Sequence, residues 1–269
     1  QDVTSLRSLV YYVAVIFMAR RLGTPHMLYA QGIGPLRRSV SRALVRRAAA
    51  TAAAITVRDA SSAELLRNLG VPADRVFTTA DPALLLKAPE RSSEESADAP
   101  VVGLAIRPWQ RMDVVRIFGE AARELARKDI GVAWIAMQTG YDDGLCREAA
   151  SLYGGTFLDP QGHPTEAVKM TASVDVLVGM RLHALILAAV SDVVPVGVAY
   201  DPKIDAFMRR LGLDRLTLPL AAVTGHAVAT LALEALANRQ LAEAAVRSAV
   251  PSLRHDALRN VEIAAAVVT

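Results

Sequence analysis

VDVLVGMRLHALILAAVSDVVPVGVAY, Val174 to Tyr200, decides the fold class. Two short runs rich in valine, Val174–Val178 and Val194–Val198, enclose an apolar segment, His183–Val190, with no turn residue inside it. The length and composition predict strand, helix, strand. Neither strand alternates apolar with polar residues, so each is buried on both faces, as in a parallel sheet whose crossovers are helices.

The same alternation extends in both directions. Further strands are expected at Val101–Ile106 and Gly131–Met137. Helices are expected near Val114–Arg127, Asp143–Tyr153, Thr165–Thr171 and Lys203–Leu211. Closer to the N-terminus, Leu6, Leu9, Val13 and Ile16 repeat at helical spacing behind a cap at Thr4 or Ser5, and Gly23 ends that helix. Met27–Ala30, Ala54–Val57 and Val76–Thr79 read as strands, with a helix over about Ser41–Ala53. A shorter helix, capped by Ser61 or Ser62, ends at Gly70. Residues 88–100, Ser/Glu-rich and bracketed by prolines, read as a linker. The organisation expected is therefore α/β, with two Rossmann-like lobes facing a cleft. Residues 1–87 form what is present of the first lobe, and 101–269 form the second with an Ala-rich helical tail.

Composition excludes several classes. A single cysteine, Cys146, rules out an intrachain disulfide or a cysteine-based zinc site. No apolar run reaches the roughly 20 residues of a membrane span. Cytoplasm fits best. The net charge of +3 is spread along the chain rather than gathered for nucleic acid, which is not expected as a partner. The densest basic segment holds Arg37, Arg38, Arg42, Arg46 and Arg47. Arg38, Arg42 and Arg46 share a helix face, either simply solvated or facing an anionic membrane surface from the periphery. The opening Gln1-Asp2-Val3-Thr4, without a basic leader, reads as a start within a domain.

In parallel α/β sheets, ligands bind beyond the carboxyl ends of the strands, so four junctions matter. Gln31-Gly32-Ile33-Gly34-Pro35 lets a backbone approach a ligand, or is a plain tight turn; it lacks the third glycine of a dinucleotide fingerprint. Arg58, with Ser61 opening the next helix, forms either an anion site at helix amides or an Arg–Asp pair with a cap. Arg107 ends the first strand after the linker, suited to bidentate binding of phosphate or carboxylate, or to a structural ion pair. Arg181 and His183 share a strand-to-helix junction, followed by Asp201 and Lys203 at the next. A histidine at a helix N-terminus is suited to proton transfer as a neutral ring. The other histidines lack metal-ligand spacing, and no metal or cofactor is expected. Asp142-Asp143 reads as a capped helix start rather than a divalent-ion site.

YAQGIGPL (Tyr29–Leu36), ITVRDASSAELLRNLGV (Ile55–Val71), TADPALLL (Thr79–Leu86), VLVGMRLHALILAA (Val176–Ala189) and VPVGVAYDPKI (Val194–Ile204) occur in one order. Together they resemble the bacterial polysaccharide pyruvyl transferases, especially their cell-wall, CsaB-like branch. The resemblance covers roughly residues 1–215. It implies a glycosyltransferase-B-like fold, with the first lobe N-terminally shortened because the family's opening glycine-rich strand and loop do not precede Gln1. It also implies phosphoenolpyruvate as donor and a ketal product on an N-acetylmannosamine-type sugar of a lipid-linked polysaccharide, whose pyruvylated polymer anchors surface-layer proteins. Arg107, Arg181 and His183 would bind and activate the donor. Gln31, Gly32, Gly34, Arg58, Ser61, Asp201 and Lys203 would complete substrate binding, and homo-oligomers are compatible with it. The rival functions are a nucleotide-sugar glycosyltransferase of the same architecture, with Arg107 and Lys203 on a diphosphate and Glu166 on a ribose, and a non-catalytic binding module.

Overall fold

The computed structural model describes residues 6–89 and 99–268. The expected helix cap at Thr4 or Ser5 lies outside these residues, as does most of the expected linker. The chain divides into two compact units, residues 1–82 with 252–269, and residues 83–251.

The first unit holds α1 (Leu6–Arg21), β1 (Met27–Gln31), α2 (Ser39–Ala49), β2 (Ala54–Val57), α3 (Ala60–Asn68) and β3 (Val76–Thr78). Its three strands are parallel in the order β1-β2-β3. Leu9 and Val13 of α1, Val45 and Ala48 of α2, Ile55 and Val57 of β2, and Leu66 of α3 form its core. Gly23 ends α1 in a left-handed conformation, φ 68°, as its position after the last apolar turn requires.

The second unit opens with β4 (Val101–Ala105), α4 (Val114–Ala126), β5 (Gly131–Ile135), α5 (Asp143–Tyr153), β6 (Thr156–Leu158) and α6 (Pro164–Ala172). It continues through β7 (Val176–Gly179), α7 (Leu182–Val190), β8 (Val194–Ala199), α8 (Pro202–Arg210), β9 (Thr217–Pro219) and α9 (Gly225–Ala237). All six strands are parallel, in the order β6-β5-β4-β7-β8-β9. That is the doubly wound arrangement, with its reversal of strand order between β4 and β7. β7 is buried at every position, and α7 is buried from Leu182 to Val190 except at His183. A helix apolar on all sides belongs inside a domain. The continuous apolar run that predicts the crossover thus becomes the centre of the core.

The helical tail is α10 (Arg239–Val268), with Pro251 inside it. Sequence grouped this tail with the second lobe. The structure instead assigns its residues from Ser252 onward to the first unit. The reason is local: Asn260, fully buried, accepts from the Thr79 hydroxyl at 2.8 Å and donates to the Ala80 carbonyl at 2.9 Å. Long-range polar contacts of this kind leave no trace in periodicity.

Candidate active site

The ten residues singled out in sequence fall into two groups, one at the carboxyl edge of each sheet.

In the first unit, Gln31 closes β1 and Arg58 follows β2. Their backbones join where the Arg58 amide donates to the Gln31 carbonyl at 3.2 Å. The loop between Gln31 and Leu36 is fastened by Ser62, whose hydroxyl accepts from the Ile33 amide at 2.8 Å and donates to the Ile33 carbonyl at 3.2 Å. Gly32 is required there because a β-carbon would stand 2.9 Å from Arg58 Nε. Gly34 has φ 101°, and a β-carbon on it would meet the Leu65 side chain at 2.7 Å. The Arg58 guanidinium pairs with Asp81 at 2.5 Å, while its Nε is buried without a hydrogen-bond partner. The expected serine cap of α3 is corrected. Asp59 is the cap, accepting from the Ser62 amide at 2.7 Å, and the Ser61 hydroxyl donates to the same oxygen at 2.6 Å. Asp59 takes the role by position: the helix begins at Ala60, so Asp59 is the flanking residue while Ser61 and Ser62 lie inside the first turn. An apolar cavity of about 540 Å³ adjoins this edge, between α1 and β1, with Gln31, Gly32 and Ile33 in its lining.

In the second unit, Arg107 lies two residues beyond β4 and Arg181 two residues beyond β7. These are the paired strands on either side of the reversal, with Ala105 opposite Gly179. Arg181 reaches back to the β5 side. Its Nε and Nη2 donate to the two oxygens of Asp142 at 2.5 and 2.7 Å. Asp142 is fully buried, so its charge is held by this fork rather than by water. The expected capped start of α5 is therefore corrected: Asp142 occupies the cap position, but its side chain makes no cap hydrogen bond and serves Arg181 instead. Two of the five guanidinium N–H groups are spent on this fork.

Arg107 leans the other way, towards the end of β8. Its Nη1 donates to the Tyr200 hydroxyl at 2.7 Å, and its guanidinium carbon lies 5.0 Å from the Tyr200 ring centre and 5.6 Å from that of Trp109. The two rings contact each other at 4.3 Å. Aromatic faces steady a cation without neutralising it. The Trp109 indole N–H is buried with no acceptor. Since β4 and β7 are neighbours between β5 and β8, the two arginines cross the same two strand ends in opposite directions. Both guanidinium groups thus belong to one edge.

His183, the exposed residue of α7, stands in the first turn after Arg181, which is the N-cap residue. At the neighbouring junction Asp201 caps α8 through the Lys203 amide at 3.1 Å and pairs with the Lys203 ammonium at 3.2 Å. The anion that Lys203 answers is thus a residue of its own chain. Glu166 is half-buried on α6 and paired with Lys169 at 2.7 Å. Burial pushes the Cys146 thiol up to about 12, with the Asp142 charge adding to the shift, so this cysteine is no nucleophile. Nothing in the spacing gives Trp109 or Tyr200 a role, or pairs Asp142 with Arg181. The available signal was an aromatic beside each of two strand-end junctions.

The fold is of glycosyltransferase-B type, and solved structures share it. Anabaena HepE in complex with UDP and glucose aligns with TM-score 0.62 at 16% identity, over 98% of this chain and 76% of that one. The Staphylococcus aureus MnaA–UDP structure gives 0.68 at 13% identity, over 91% and 70%. A putative UDP-N-acetylglucosamine 2-epimerase from Listeria monocytogenes gives 0.67 at 15% identity, over 92% and 69%. No curated protein matches the chain in sequence. The family model for polysaccharide pyruvyl transferase matches residues 1–202, three quarters of the chain and both arginines of the reversal, and the chain belongs to that family.

Proposed function

We propose that the chain transfers pyruvate from phosphoenolpyruvate to a sugar of a cell-wall polysaccharide, on a lipid-linked acceptor of N-acetylmannosamine type, forming a ketal. The observation that carries the reading is the pair of arginines crossing one strand reversal. Arg107 is held by aromatic faces with no carboxylate beside it among the described residues, and Arg181 is aimed by Asp142 through two of its five N–H groups. Phosphoenolpyruvate carries a phosphate and a carboxylate on adjacent atoms, and two planar cations in one place suit it. The buried Trp109 N–H is a further donor for such an anion.

In the proposed reaction a proton is added to C3 of the enol and a sugar hydroxyl adds to C2. The bond from C2 to the phosphate oxygen breaks, and a second hydroxyl of the same sugar closes the ketal. One hydroxyl proton replaces the proton given to C3, and the other leaves with phosphate. His183 is the residue placed to carry a proton in these steps. Arg107 and Arg181 bear the charge of the departing phosphate. Gln31, Gly32, Gly34, Arg58 and Ser61 would serve substrate binding, with Arg58 already paired with Asp81. Asp201 and Lys203 fix the start of α8. The polymer so modified would anchor surface-layer proteins.

Mass spectrometry of lipid-linked saccharides incubated with the protein and phosphoenolpyruvate tests this. A pyruvate ketal on one sugar is expected, together with one phosphate released per ketal. Similar folds solved with UDP favour one second reading, nucleotide-sugar transfer. Sugar addition from a UDP-sugar with no ketal from phosphoenolpyruvate would establish it instead.

A further inference from the structure

The charge of the chain is divided unevenly. Between Leu6 and Arg58 there are nine arginines and no Asp or Glu. That stretch carries +9 and the whole chain +3, so everything else is net −6. Eight of the nine are exposed: Arg7, Arg20 and Arg21 at the ends of α1, and Arg37, Arg38, Arg42, Arg46 and Arg47 at the start and along α2.

Between Ser8 and Arg20, α1 carries no charged side chain and no polar group but the hydroxyls of Tyr11 and Tyr12. Leu9, Val13, Ile16 and Phe17 turn inward to the core. On the opposite face, Arg7, Tyr11, Ala14 and Met18 follow one another at helical spacing, flanked by Val15. Tyr11 is 65% exposed and Met18 58%, and Leu22, just past the helix, is 74% exposed. A soluble surface helix carries polar residues on that face. Here the outer face is apolar and aromatic, and cations stand at both of its ends.

We propose that the outer face of α1 docks on an anionic lipid bilayer. Tyr11, Val15 and Met18 enter the headgroup boundary, while the arginines of α1 and α2 meet the lipid phosphates. Tyrosine suits the depth where apolar and polar surroundings meet, and arginine can extend its charge to the headgroups while its stem stays in apolar surroundings. Apolar burial and electrostatic attraction act together in such surfaces, and neither alone holds firmly. A second copy of the chain is the poorer occupant. A two-fold interface apposes the same patch on both partners, which would bring the arginines at the ends of α1 up against their own counterparts. The helix lies along the surface, since no helix among the described residues is long and apolar enough to cross a membrane.

Flotation of the whole protein with vesicles of phosphatidylglycerol and phosphatidylcholine, against phosphatidylcholine alone, tests the proposal. Binding is expected only to the anionic vesicles and should weaken at high salt. Replacing Arg7→Gln with Arg21→Gln should weaken it about 25-fold, at about fivefold per arginine. Tyr11→Ser with Met18→Ser should weaken it at least about tenfold, with unchanged far-ultraviolet circular dichroism because neither side chain is in the core. As an independent reporter, Tyr11→Trp should show a blue-shifted added emission on anionic vesicles. No binding to anionic vesicles overturns the proposal. So does binding that ignores the Tyr11/Met18 pair, which would make the attraction unspecific. Self-association abolished by that pair, without vesicle binding, assigns the face to a second copy and overturns it too.

Discussion

The two sheet edges are built alike and equipped differently. Each ends parallel strands in short loops and places an arginine just past a central strand. At the first edge most polar groups answer one another: Arg58 is paired with Asp81, although its Nε is buried without a partner among the described residues, the Ser61 hydroxyl with Asp59, and Ser62 with the backbone of Ile33. At the second edge Arg107 has aromatic rings where a carboxylate would stand, and Trp109 keeps a buried donor unused. An edge whose cation is neutralised by a carboxylate of the same edge holds a shape. An edge that leaves cations and donors unspent has stored part of its interaction energy for a ligand. The binding chemistry of this chain is accordingly expected at the second edge and its shaping at the first.

Substitutions at the two edges should therefore fail in different ways. The largest effect is expected at His183. His183→Ala should lower ketal formation by about 10²–10⁴-fold while the melting temperature stays near wild type, because the side chain is outside the core. Turnover within a few-fold of wild type would make His183 structural.

Asp142 tests whether Arg181 is aimed or merely present. Asp142→Ala removes one partner of a buried pair and should cost about 3–5 kcal/mol of stability, measured by urea unfolding. Asp142→Asn keeps the shape but loses the charge, and should raise KM for phosphoenolpyruvate with a smaller loss of stability. An unchanged KM in Asp142→Asn would show that the fork does not position the donor.

At the first edge, Gly32→Ala should cost about 1–3 kcal/mol, since the new β-carbon overlaps Arg58 Nε and the ion pair beyond it must shift. Donor affinity should hardly change. A loss of donor affinity without a loss of stability would place the donor at this edge instead.

The smallest effect concerns Cys146. Its folded value near 12 lies above the ordinary 9.0, so the thiol stays protonated in the fold over a range where the unfolded chain ionises. Its contribution to stability is complete below pH about 9 and is lost as pH rises towards about 12. Thiol reagents at pH 8 should leave the folded protein unlabelled and label it fully in denaturant. Rapid labelling of the folded protein would contradict the burial.

Much of the fold was legible because it rests on local periodicity. The valine runs of β7 and β8 and the apolar α7 stand where the sequence places them, within two residues at each end. β6, Thr-Phe-Leu, and β9, Thr-Leu-Pro, show no strand signal because neither holds the valine or isoleucine that marks most of the other strands, and Pro219 argues against a strand. The site was legible as positions and opaque as partnerships. Arg107 and Arg181 follow from the rule that ligands gather at strand ends. Asp142 lies 39 residues from Arg181 in the chain. The two meet only because strand order reverses between β4 and β7, which spacing alone does not reveal. The cap of α3 is Asp59 rather than a serine because the helix starts at Ala60, and with capping residues at 59, 61 and 62 the composition alone does not fix where the first turn begins.

The assignment of the donor to the second edge is tested most directly by the melting temperature with and without phosphoenolpyruvate, in the wild type, Arg107→Gln and Arg58→Lys. A ligand that binds only the folded state raises the melting temperature by mass action. The shift should be present in the wild type, retained in Arg58→Lys, and lost in Arg107→Gln, where truncating the clamp costs about 2–5 kcal/mol of binding. A shift that survives in Arg107→Gln and disappears in Arg58→Lys would contradict the account.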